Sequence, residues 1–185
     1  MERVSHPPLP HFRLHSDPLS SGSLEWRPVS CRACEQERPA TYVGPVVAAA
    51  DLEDALCPWC IADGTAHARF GVEFFDAELV PSAVSSDMLE ELLTRTPGFH
   101  TWQGIEWPVC CGAPASFLEP VGAEQLRARY REVEGPLIGH LVHDLGMSGG
   151  ALHALIAALD RDRGPTAYVF RCLACGTLIA RIDRP

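Results

Sequence analysis

The chain has 185 residues and a formal charge of −9, with 24 Asp and Glu against 15 basic residues. All fifteen are Arg, and the chain has neither Lys nor Asn, which excludes a P-loop, a Schiff-base lysine and N-linked glycosylation. Hydrophobic residues make up 46%, enough to build a core and too scattered to give the ~18-residue apolar run of a membrane span. The first ten residues lack the apolar stretch of a signal peptide, so a cytoplasmic protein is expected. In that compartment the eight cysteines stay reduced, and their C-x2-C spacing favours metal over disulfide. Each four-thiolate zinc site would add a further charge of about −2. Such a charge argues against nucleic-acid backbone binding as the main role; it leaves room for a protein partner, whose identity the sequence does not give.

Residues 1–23 hold several X-Pro steps and a Ser-Ser-Gly turn, which predict an extended arm rather than a helix. Phe12 and Leu14 would dock it, with His11 and His15 on a solvated face. Residues 24–80 read as a first zinc-knuckle subregion. Short strands flank Cys31-Arg32-Ala33-Cys34, with Leu24, Trp26 and Val29 before it and the β-rich run Thr41–Val47 after it. The acidic, Ala-rich stretch 48–56 returns the chain to Cys57-Pro58-Trp59-Cys60. A helix over 61–70, weakened at Gly64, and an aromatic cluster of Phe70, Phe74 and Phe75 follow. His67 stands too far past Cys60 for a knuckle ligand.

Residues 81–108 should contain a helix over 85–96, with Met88, Leu89, Leu92 and Leu93 on one face and Thr96-Pro97-Gly98 as its stop. An irregular aromatic loop follows. Its plain role is to cover the core; its functional role would be a ligand rim formed by Trp102 and Gln103. Residues 109–185 form a second metal subregion opening at Cys110-Cys111-Gly112 and closing at Cys172-Leu173-Ala174-Cys175-Gly176. A polar surface helix over 123–132 is expected between them. A helix starting at Pro136, with Leu137, Ile138, Leu141, Val142 and Leu145, would pair with another capped by Ser148 and faced by Leu152, Leu155, Ile156 and Leu159. Strands over 166–170 and 177–182 make a closing hairpin around Cys172 and Cys175.

Two C-x2-C pairs 22 residues apart, Cys31/Cys34 and Cys57/Cys60, fit a closed tetrahedral zinc site without an open coordination position. Cys57-Pro58-Trp59-Cys60 could alternatively be a redox dithiol, but the segment before it is acidic and poor in β-branched residues, unlike the buried strand such dithiols follow. The second site is less regular, because Cys110 and Cys111 are adjacent. Cys111, Cys172 and Cys175 are ligands there, and the fourth is Cys110, a His or a carboxylate; water in that place would give an open, hydrolytic zinc. His140, His143 and Asp144 share a helix face but lack the H-E-x-x-H pattern of a zinc protease. No nucleophile elbow is present.

Several blocks together resemble the CbrC family: Leu9-Pro10-His11-Phe12-Arg13-Leu14-His15-Ser16-Asp17-Pro18, Tyr42-Val43-Gly44-Pro45, Leu56 through Gly64, Arg95-Thr96-Pro97-Gly98, Trp102-Gln103-Gly104 and Tyr168 through Gly176. The resemblance runs along nearly the whole chain. It implies a small bacterial cytosolic protein with cysteine-based metal sites and an unestablished biochemical role; one member is linked by name to colicin E2 tolerance. The family pattern carries a His-Cys pair where Cys110-Cys111 stands and a further Cys nearby, where this chain has Ala115. The expectation is one α+β domain over 1–185, with zinc-ribbon-like knuckles, short antiparallel strands, several helices and two structural zinc ions on the eight cysteines. A non-enzymatic binding or stress-tolerance protein fits this; an oxidoreductase at Cys57/Cys60 or a hydrolase at the second site is the alternative.

Overall fold

The computed structural model describes residues 6–185; the expectation for the first five residues of the arm lies outside them. The architecture is α+β, with short antiparallel strands and several helices, and its contacts resolve into two compact units. The first comprises Met1–Ala77 and Ser86–His100, the second Glu78–Ser85 and Thr101–Pro185.

In the first unit, strands β1 (Leu24–Glu25) and β4 (Thr41–Tyr42) pair antiparallel, as do β2 (Val29–Cys31) and β3 (Gln36–Arg38). The β2–β3 hairpin turns through Cys34, and Glu35 completes it with φ 57° and an N–H donated to the Cys31 carbonyl at 2.7 Å. Helix α1 (Pro58–Ala62) begins three residues earlier than expected, because Pro58 occupies its first turn, where a missing N–H costs nothing. Gly64, at φ 81°, breaks the helical run, and α2 (Thr65–Phe70) restarts after it. Helix α3 (Ser86–Arg95) lies where its periodicity placed it and buries Leu92 and Leu93.

The arm docks as expected through Phe12 and Leu14, 5% and 0% exposed, but His15 is not solvated: it is fully buried, while His11 is exposed. Its Nδ1–H donates to the Pro97 carbonyl at 2.7 Å, which leaves Nε2 to accept from the Ser21 hydroxyl at 2.7 Å. The ring stands edge-on to Phe99. Two polar partners offset most of the cost of burying an imidazole, and their positions are not visible in local sequence. The expected Phe cluster is also divided. Phe74 packs on Tyr42 and Phe75 on Phe99, whereas Phe70 lies beneath the Arg32 and Arg69 guanidiniums.

The second unit is built on a three-stranded antiparallel sheet of β7 (Ser116–Val121), β8 (Thr166–Arg171) and β9 (Leu178–Asp183), in that order. The strand at 116–121 was not anticipated, because Glu119 and Pro120 interrupt its apolar pattern; a bulge between Phe117 and Glu119 accommodates them. A small hairpin of β5 (Val109–Cys110) and β6 (Ala113–Pro114) precedes it. Helix α4 (Ala123–Arg129) stops at Tyr130, and α5 (Arg131–His143) takes up the chain at once, so the polar helix is shorter than expected.

Pro136 does not start α5 but stands inside it. The buried stripe Val133, Leu137 and Leu141 begins before the proline and carries the helix through it. Gly135, lacking a Cβ, relieves the clash that disfavours helical backbone before proline. Helix α6 (Gly149–Ala157) adds Leu152 and Ile156, and these side chains form one core cluster with Val121, Leu126, Val169 and Ala180.

Candidate metal centres

The fold collects the eight cysteines into two groups of four, one in each unit, with the sulfurs of each group all within 4.8 Å of one another. All eight thiols are free. Among the described residues, no other cluster of His, Cys, Asp or Glu meets that test; His67, His140 and His143 are therefore not among the grouped residues.

In the first group, Cys31 ends β2, Cys34 lies in the β2–β3 turn, Cys57 caps α1, and Cys60 sits in the first turn of that helix. Two main-chain bonds hold the knuckles in register: Arg32 N–H to the Ala55 carbonyl and Tyr42 N–H to the Leu56 carbonyl. The Cys57 N–H donates to Cys31 Sγ at 3.3 Å, the kind of contact that stabilises a thiolate. Cys31, Cys57 and Cys60 are 0%, 0% and 2% exposed and belong to the unit's apolar core. The Arg38 guanidinium reaches Cys34, whose hydrogen bond raises its pKa, and lies over the Trp59 ring at 5.5 Å. It is a fixed positive charge beside Cys34, Cys57 and Cys60. Arg69, paired with Glu35, also donates to the Ala33 carbonyl at 2.8 Å and braces the first knuckle.

The second group answers the difficulty posed by adjacent ligands. Cys111 and Gly112 have φ of 53° and 76° and link Cys110 to Ala113 in a two-residue hairpin, the I′ type with both central residues left-handed. In extended backbone, neighbouring side chains point to opposite faces. The left-handed residue breaks that alternation, so Cys110 and Cys111 present sulfurs to one point, 3.8 Å apart. Cys175 Sγ lies 3.7 Å from Cys110 Sγ. A tetrahedral ion with arms of ~2.3 Å has sulfur–sulfur edges of about 3.8 Å, whereas a disulfide needs ~2.05 Å. Of the three candidates for the fourth position, Cys110, a His or a carboxylate, Cys110 is the one whose ligand atom lies with those of Cys111, Cys172 and Cys175. On the other side, Cys172 N–H bonds the Thr177 carbonyl and Gly176 N–H the Cys172 carbonyl, which closes the knuckle between β8 and β9.

The thiols of each group divide in their proton affinity. A hydrogen bond from the Cys57 thiol pulls Cys31 down to about 4, and the same pairing pushes Cys57 up; burial raises Cys60 to about 12. In the second group the Thr177 hydroxyl lowers Cys175 to about 6, while the Cys172 thiol raises Cys110 to about 12. A cation held by four thiolates displaces the protons that the raised thiols keep, so loading either group consumes base.

Trp102 and Gln103 are exposed, and neither belongs to a cysteine group. What holds their loop is Asp183. Its Oδ2 accepts the backbone N–H groups of Trp102, Gln103 and Gly104 at 2.6, 2.9 and 3.2 Å, and the Trp102 indole N–H donates to Thr166 Oγ1. This role of Asp183 had no signal in the sequence, because an acidic residue at a strand end reads as solvated.

Residues 9–184 match the family described as Uncharacterised protein family (UPF0167). The chain belongs to UPF0167. All the motif blocks that suggested the CbrC family fall inside this match. The UPF0167 protein of Mycobacterium bovis is 44% identical over 195 residues, covering 99% of this chain and 98% of its own length, and that of Mycobacterium tuberculosis gives the same values. The UPF0167 protein of Pseudomonas aeruginosa is 36% identical over 181 residues, covering 92% of this chain and 94% of its own. No solved structure matches the chain. The family is thus a bacterial one, with two four-cysteine groups in this member that could hold metal ions.

Proposed function

We propose that this UPF0167 chain is a non-enzymatic, zinc-stabilised binding or regulatory protein of the bacterial cytoplasm, with one structural zinc on Cys31, Cys34, Cys57 and Cys60 and another on Cys110, Cys111, Cys172 and Cys175. The observation that carries this is that each group gathers four sulfurs within 4.8 Å of one another with no His or carboxylate among them. Two edges of the second group, 3.8 and 3.7 Å, match a tetrahedral ion, and four thiolates on one ion would leave no position for water or substrate. An all-thiolate tetrahedron suits zinc, which needs no redox partner and prefers this geometry. Reduced paired thiols support the cytoplasm, and no helix of the described residues is long and apolar enough to cross a membrane. A part in stress or toxin tolerance is the reading that the likeness to the CbrC family adds.

The dithiol alternative draws less support. Cys57 does precede a helix, but it is buried and its thiol is pushed up, not down, whereas a redox nucleophile needs an exposed thiolate. Elemental analysis of the purified chain tests the proposal. Two zinc per chain are expected, with all eight thiols silent toward a thiol reagent until a chelator is added. Metal-free, folded protein with a reactive Cys57 would overturn it.

A further inference from the structure

The two centres are not equivalent, and the difference is one of access. Cys31, Cys57 and Cys60 are buried within the apolar cluster of their unit, with Phe12, Leu24, Leu56 and Ile61, and Cys34 is half-buried against it. In the second group only Cys172 is buried; Cys110 is half-buried, and Cys111 and Cys175 are exposed. The cluster formed by α4, α5, α6 and the sheet includes none of these four cysteines. The tip of the Cys172–Cys175 knuckle is likewise open, with Leu173 about half exposed.

We infer that the second centre is an oxidation site, at which a peroxide converts Cys175 and one sulfur of the Cys110–Cys111 turn to a disulfide and releases that centre's metal, while the first centre keeps its own. The inference rests on the proposed metal loading. Exposure and thiolate character set the susceptibility of a cysteine to oxidation, and metal ligation supplies the second to both groups alike. Only the second group has exposed cysteines, Cys111 and Cys175. The steps balance. The Cys175 thiolate attacks a peroxide oxygen, forming the sulfenic acid and releasing hydroxide. A neighbouring thiolate, Cys110 at 3.7 Å or Cys111, then attacks the sulfenic sulfur, forming the S–S bond and expelling a second hydroxide. Two electrons leave the sulfurs and reduce one peroxide to two waters once two protons are taken up. The ion, left with two thiolates of four, dissociates.

Release should not dismantle the second unit, since the register of β7, β8 and β9 and the cluster behind them stand without the centre. The site is thus reversible: thiol reductant and zinc restore it.

The test uses the full-length, metal-loaded chain titrated with hydrogen peroxide. Released zinc is followed with a chromogenic chelator, and disulfides are mapped on the tryptic peptides. One zinc per chain should leave at least about ten times faster than the other, with a crosslink joining the peptide of Cys175 to that of Cys110 and Cys111. Far-ultraviolet circular dichroism should be unchanged, and dithiothreitol with zinc should reverse the release. Parallel loss of both ions, retention of both, or a first crosslink among Cys31, Cys34, Cys57 and Cys60 would overturn the inference. Fewer than two zinc per chain before any peroxide is added would instead overturn the metal reading beneath it.

Discussion

Burying an imidazole among apolar groups favours its neutral form, and His15 shows how a single side chain makes a fold sensitive to pH. Burial lowers its pKa to about 4, with the Pro97 carbonyl only partly compensating. In the unfolded chain it titrates near ~6.5. Between these values the unfolded state binds the extra proton, so stability is fully present above pH ~6.5 and is lost as pH falls toward 4, by about 3 kcal/mol in all. Urea titrations of the native chain and of His15→Gln between pH 7 and 4 isolate this contribution. The stability gap between the two should narrow by about 3 kcal/mol on acidification, and a gap independent of pH would refute the assignment. Gly98 constrains the same neighbourhood by shape. A Cβ there would collide with the Phe74 carbonyl oxygen, so packing requires glycine at this position after α3.

At the scale of elements, α5 carries a defect that can be removed. Pro136 lacks the N–H that would bond one turn back, it is exposed, and it stands well inside the helix. Replacing an interior proline by alanine restores that bond and a strong helix former. Pro136→Ala should therefore stabilise the second unit by about 1–3 kcal/mol, read as a higher urea midpoint at unchanged slope. A lower midpoint would mean that the proline fits a backbone conformation the alanine does not need. The same helix marks where the sequence was legible. Stripes such as Leu92 and Leu93, or Leu137 and Leu141, announce themselves by spacing, and C-x2-C pairs announce ligands. Boundaries and partners do not. Whether Pro136 starts a helix depends on Val133 finding a core, the strand at 116–121 depends on a bulge, and the second centre's fourth sulfur depends on a left-handed Cys111. Each was settled by tertiary contact that local sequence does not encode.

For the molecule as a whole, the two centres have different structural duties. Cys31, Cys57 and Cys60 are part of the first unit's core, so the affinity of the proposed metal there would also be folding free energy. Cys60→Ser should leave the chain insoluble or its first unit unfolded by limited proteolysis, whereas Cys175→Ser should cost one metal ion and spare the helices and sheet of the second unit. Equal, cooperative unfolding of both variants at wild-type stability would remove the structural argument for the first centre.

The spacing of the ligands also sets an order in time. The first four cysteines lie between positions 31 and 60, whereas Cys110 and Cys111 meet their partners only at 172 and 175. A ribosome adding roughly 5–20 residues each second leaves those two neighbouring thiols without Cys172 for about 3–12 s. The nascent chain can load its first ion during that interval. The second pair waits, and it is most open to oxidants and stray metal before the hairpin that completes its site exists.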